Sequence, residues 1–116
     1  MPQYRLQNYL KGNRRRLRLS QAEIAFLTGV RSGAKICRNE HAHRKPSLEV
    51  ALVYEIIFRK PVSELFRGMY GKLQNDVLSR ASCLIRRLRV SGRSSRAARK
   101  VDVLERLRRQ IMSELE

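Results

Sequence analysis

Residues 19–48 read LSQAEIAFLTGVRSGAKICRNEHAHRKPSL, and the rest of the chain is organised around them. Ser20 can cap a helix N-terminus, and Glu23, three residues on, completes a Ser-x-x-Glu capping box. Ile24 and Leu27 supply apolar contacts for this helix, and Ala25 is small enough for another helix to cross closely. Gly29 ends it, because a glycine takes the left-handed conformation that a helix C-terminus needs. A second short helix is predicted over residues 32–39, carrying Lys35 and Arg38 outward.

Two short helices joined by a tight glycine turn, the second one basic, make a helix-turn-helix pattern. The ordered residues Leu19-Ser20-Gln21, Gly29-Val30, Ile36, Glu40, Pro46-Ser47-Leu48-Glu49, Ala51-Leu52 and Pro61-Val62-Ser63-Glu64-Leu65-Phe66 extend it. In that order the chain from Tyr9 to Phe66 resembles the Cro/repressor-type (XRE) helix-turn-helix family. Two departures stand out: one additional residue lies between Gly29 and Ile36, and Asn39 occupies a position that is usually apolar or aromatic. The resemblance implies a five-helix domain whose recognition helix enters the major groove of double-stranded DNA. It places Ser32, Gly33, Ala34, Lys35 and Arg38 on or near the base-reading face. Lys35 and Arg38 are the natural readers, since guanine offers O6 and N7 acceptors there. Gly33 and Ala34 present little side chain and suit a thymine methyl or groove shape. Arg14, Arg15, Arg18, Gln21, Arg31, Arg44 and Lys45 are the expected phosphate contacts, the last two beside the amides that open a fourth helix. Any one arginine of this set also has a plainer reading, as part of a solvated face.

The charge agrees with a polyanionic partner. Of 116 residues, 26 are Lys or Arg and 10 are Asp or Glu, a net charge of +16. DNA, RNA and anionic membrane surfaces all attract such a chain. A membrane is the weakest of the three, because no long apolar run and no lipidation signal is present. Residues 1–10 also lack the continuous apolar segment of a signal peptide. With 42% hydrophobic and 6% aromatic residues and no Trp, the core should be small and aliphatic. Two cysteines, Cys37 and Cys83, are too few for a disulfide framework. A cytoplasmic, nucleoid-associated protein is expected.

Around the central stretch, a first helix is predicted over residues 4–17, with Leu6, Leu10 and Leu17 apolar and Gly12 and Asn13 as weak helix formers. Ser47 should cap a fourth helix reaching Phe58, with Leu48, Ala51, Leu52, Tyr54, Ile57 and Phe58 facing inward. Glu55 is the odd member there, since relatives usually carry a small apolar residue. Pro61 suits the start of a fifth helix over residues 62–66.

The resemblance ends at residue 67, which divides the chain into a DNA-binding domain, 1–67, and a helical extension, 68–116, expected to serve oligomerisation or auxiliary DNA contact. Gly68 and Gly71 should loosen the connection. Residues 72–90 carry an apolar stripe at Leu73, Val77, Ala81, Leu84 and Leu88, and residues 97–115 carry another at Val101, Leu104, Leu107, Ile111 and Leu115. A turn is predicted over residues 91–95. The expected fold is therefore all-α, a five-helix repressor-like domain followed by two longer helices. Folded only on each other, those two helices leave an apolar face open. Leu73, Val77, Leu84, Leu88, Leu104, Leu107 and Ile111 are accordingly the expected dimerisation residues, and a homodimer would impose two-fold symmetry on its site.

Cys37 and His41 stand four apart with His43 two beyond, but structural zinc sites want four well-spaced ligands and no second cluster exists. No metal, cofactor or small-molecule effector is expected. The acids are scattered and no catalytic constellation is evident, so no enzyme is expected. The leading function is sequence-specific transcriptional regulation by a DNA-binding homodimer. Two alternatives stand beside it. One is a non-specific architectural DNA- or RNA-binding protein, and the other is an antitoxin or adaptor with a protein partner.

Overall fold

The computed structural model describes residues 7–92 and 94–116. They form seven helices: α1 (Leu10–Leu17), α2 (Gln21–Thr28), α3 (Gly33–Glu40), α4 (Leu48–Phe58), α5 (Val62–Leu65), α6 (Arg67–Ser91) and α7 (Ser95–Leu115). No strand occurs among the described residues. The chain divides into two compact units, Met1–Tyr70 and Gly71–Glu116.

The first unit is closed by nine buried side chains drawn from all its helices. Leu10 comes from α1, Ile24 and Ala25 from α2, Ile36 from α3, Ala51, Tyr54 and Phe58 from α4, and Leu65 and Phe66 from the α5 end. Each fully buried Leu, Ile or Phe contributes about 1.5–3 kcal/mol. Tyr54 and Phe58 stack with ring centroids 5.9 Å apart, giving the aliphatic core its one aromatic pair of parallel planes.

Local chemistry sets the helix ends. Asn8 Oδ1 accepts from the Leu10 amide at 3.1 Å, and the Tyr9 amide donates to the Leu65 carbonyl at 2.9 Å. Helix α1 therefore begins at Leu10; of the longer helix anticipated from the sequence, residues 7–9 are not helical and residues 4–6 lie outside the described residues. Asn13 does not weaken α1. It is buried, its Nδ2 donates to the Tyr9 carbonyl at 2.7 Å, and its Oδ1 accepts from Arg16 at 2.6 Å. Both halves of the capping box form at α2: the Glu23 amide donates to Ser20 Oγ at 3.0 Å, and the Ser20 amide to Glu23 Oε1 at 2.7 Å. Gly29 closes α2 at φ 80°, the left-handed region open to glycine.

Three sequence expectations about faces are corrected. Leu27 is half exposed, because Ile24 and Ala25 take the inward positions of α2. Leu48 and Leu52 also point outward, at 75% and 47% exposure, since α4 turns Ala51, Tyr54 and Phe58 into the core. Glu55 has a use that an apolar residue could not serve: its Oε1 accepts from the Val62 amide at 2.9 Å and so caps α5. Helix α6 starts at Arg67, earlier than anticipated, because Phe66 and Met69 anchor its first turn in the core and Gly68 and Gly71 merely permit other conformations.

In the second unit α6 and α7 run antiparallel. Gln74 donates to Glu114 at 2.8 Å near one end, and Arg89 pairs with Glu105 at 3.2 Å near the other. Ala81, Ile85 and Ile111 are buried between them. Ser94 caps α7, its Oγ accepting from the Ala97 amide at 3.1 Å. Ile111 thus packs inside its own unit and is removed from the dimerisation set. Leu88 and Leu104 are half-buried, while Leu73, Val77, Leu84 and Leu107 are exposed. No helix among the described residues is long and apolar enough to cross a membrane.

Candidate nucleic-acid interface

Helix α3 owes its position to its inner face. A Cβ placed on Gly33 would lie 3.3 Å from the Gln21 carbonyl carbon, the Gln21 Cβ and the Ala22 amide nitrogen, so α3 starts hard against the start of α2. Ile36 is buried in the core one turn later. Asn39, also buried, forms a hydrogen-bonded junction. Its Oδ1 accepts from the Tyr54 hydroxyl at 2.8 Å, its Nδ2 donates to the Arg44 carbonyl at 2.9 Å, and its carbonyl accepts from Asn8 Nδ2 at 2.9 Å. Burial pushes the Tyr54 phenol well above its ordinary range, which keeps it a donor.

Glu40 completes the inner face. Arg14 meets it side-on, Nε to Oε2 at 2.5 Å and Nη2 to Oε1 at 3.2 Å, and Gln21 Nε2 donates to Oε1 at 3.0 Å. Arg14 Nη1 also donates to the Leu19 carbonyl at 3.0 Å. The Glu40 side chain is 1% exposed and that of Arg14 is 12%, so one ion pair ties α1, α2 and α3 together. The hydrogen bond to Glu40 raises the Arg14 pKa above its ordinary value. Arg14 therefore holds the scaffold and leaves the phosphate-contacting set, because its guanidinium is committed to Glu40 and the Leu19 carbonyl. Gln21 lies beside α3 through its bond to Glu40.

The outer face of α3 is what remains. Ala34, Lys35, Arg38 and His41 are exposed there, at spacings that repeat every three or four residues. Ser32 is the N-cap residue and is exposed, and its side chain makes no capping bond. Gly33 faces α2 instead, so its assignment to the base-reading set is corrected: the close approach of two helices requires the missing side chain. In the sequence His41 is weighed only as a metal ligand; its spacing of three from Arg38 places it on the same side as that arginine. Its Nδ1 donates to the Cys37 carbonyl oxygen at 2.8 Å. Cys37 Sγ is 3.5 Å from the same nitrogen. No group of three or more His, Cys, Asp or Glu among the described residues is arranged to hold a metal.

The loop after α3 is pinned to it. The His43 and Arg44 amides both donate to the Arg38 carbonyl, at 2.9 and 3.3 Å, and Ala42 takes a left-handed conformation at φ 57° to let the chain turn back. Arg44 and Lys45 are exposed just before Ser47, whose Oγ accepts from the Val50 amide at 3.2 Å and caps α4. Arg15, Arg16, Arg18 and Arg31 are exposed as well. The two carboxylates between Lys11 and Pro46 are both engaged internally, Glu23 in the capping box and Glu40 by Arg14. The exposed cations here therefore keep their charge for an outside partner.

No protein-family model, curated protein or solved structure matches the chain.

Proposed function

We propose that α2 and α3 form a helix-turn-helix of the Cro/repressor kind and that the protein is a sequence-specific, double-stranded-DNA-binding transcriptional regulator. The observation that carries this reading is the two-sidedness of α3. Its inner face is locked by Ile36, Asn39 and Glu40, and its outer face offers Ala34, Lys35, Arg38 and His41. A rigid helix with a guanidinium and an ammonium on one free face suits base-edge readout in the major groove. Arg15, Arg18, Arg31, Arg44 and Lys45 surround it and suit phosphate contact, which orients the helix and carries no sequence information.

Selection of bound sites from random duplex DNA tests the proposal. The selected site should be bound in preference to random duplex, and Arg38→Ala should cost about 1–3 kcal/mol on it while relaxing one base position. Arg15→Ala should weaken all sequences alike. A chain that binds every duplex equally, with Arg38→Ala unchanged in motif and affinity, would instead support the second reading. That reading, sequence-blind binding of DNA or RNA, is favoured by the net charge of +16 alone.

A further inference from the structure

The second unit carries a cationic end that the helix-turn-helix reading does not use. Residues 86–100 hold six arginines and one lysine and no Asp or Glu. Arg86, Arg87 and Arg89 close α6, and Arg96, Arg99 and Lys100 open α7; all six are exposed. Arg96, Arg99 and Lys100 share one face of α7 by their spacing of three and four. Only Arg89 has an ion-pair partner, Glu105 at 3.2 Å; the other five have none among the described residues. Helix α7 also has no acidic residue in its first turn, where the helix dipole favours negative charge and Arg96 stands instead. Such an end repels itself in the free protein and is relieved by an anion.

We propose that this end of the α6–α7 pair is a second, sequence-blind contact for the phosphate backbone of duplex nucleic acid. The choice of duplex DNA rests on the function proposed above; the choice of a nucleic-acid backbone rests on the chemistry of the patch. Five of its six described cations are arginines, whose planar fork matches phosphate oxygens in pairs. Residues 71–116 contain no Phe, Tyr or Trp. Single-stranded partners are gripped by stacking on such rings, and an interfacial membrane helix buries them, so neither partner fits as well. The last six residues of α6 and the first six of α7 each span about 9 Å. Over that axial length a duplex carries roughly five phosphate charges, the same scale as the five unpaired cations.

The test uses the full chain with Arg86, Arg87, Arg96, Arg99 and Lys100 each changed to Gln, and a control that loses the same charge elsewhere, at Arg59, Lys60, Lys72, Arg106 and Arg109. Affinity is measured against salt for the selected duplex and for a random one, with circular dichroism to follow helix content. The patch variant should keep its helix content and lose affinity for both duplexes by the same factor. Its slope of log affinity against log salt should be shallower by about 0.9 for each phosphate that the patch no longer neutralises, and the control should keep the steeper slope. An unchanged slope in the patch variant overturns the proposal, as does an equal fall in the control, which would mark a bulk charge effect. So does a variant that fails only on phosphatidylserine vesicles. A wild-type chain without sequence preference, whose slope still falls in the patch variant, would overturn the helix-turn-helix reading and leave this second interface standing.

Discussion

Arg14 and Arg15 are adjacent and chemically identical, and the helix turns them to opposite uses. Arg14 lies four residues after Leu10, and Asn13 three after, so both share the inward face of α1 with that buried leucine. Arg15 points outward. Removing one partner of a buried pair leaves the other charge without compensation, at about 3–5 kcal/mol. Glu40, with a side chain 1% exposed, is such a group. Arg14→Ala should therefore lower the urea midpoint by a large part of the total stability, which for a domain is about 5–15 kcal/mol. Arg15→Ala should change stability by less than about 0.5 kcal/mol. Equal midpoints for the two variants would show that the Glu40 junction does not hold the three helices. Asn39 teaches a related point: a side-chain amide in a core position is stable there because two partners, the Arg44 carbonyl and the Tyr54 hydroxyl, satisfy it.

Among the elements, α3 depends most on a single small residue. Its first residue, Gly33, sits against backbone atoms of Gln21 and Ala22, and backbone cannot move aside as a flexible side chain does. Gly33→Val should cost about 1–3 kcal/mol by overpacking and should reduce sequence preference at temperatures where the variant remains folded, because α3 shifts outward. Ala34→Val, on the exposed side, should leave thermal stability nearly unchanged. Similar melting curves for both would mean that α2 and α3 have room between them. Helix α4 shows the opposite situation. Its residues are apolar on both sides, with Ala51, Tyr54 and Phe58 buried and Leu48, Leu52 and Ile56 exposed at intervals of four. A helix apolar all round is usually covered all round.

At the scale of the molecule, two sets of exposed apolar residues are candidates for the proposed self-association. One is Leu48, Leu52 and Ile56 on the first unit; the other is Leu73, Val77, Leu84 and Leu107 on the second. Under the proposed function, two-fold pairing would double the base pairs read and so raise discrimination on a genome. Light scattering at micromolar concentration should give a dimer for the full chain and a monomer for Leu84→Asp, with Leu52→Asp still dimeric. A monomer for Leu52→Asp alone would move the interface to α4. A monomeric full chain, with and without a palindromic duplex, would sink the homodimer.

Several helix ends, though not the starts of α1 and α6, could be read from short stretches, because a cap is a hydrogen bond between residues two to four apart. Ser20 with Glu23, Gly29 and Ser47 each carry that information within a few positions. The same holds for the all-helical class, which follows from apolar spacings of three and four. Which face of a helix is covered was not legible in this way. Leu27 and Leu48 lie outside, Arg14 and Gly33 lie inside, and Ile111 belongs to its own hairpin. Each of these depends on what another helix, distant in the chain, places opposite it. Burial is a property of two surfaces in contact, and local periodicity describes only one of them.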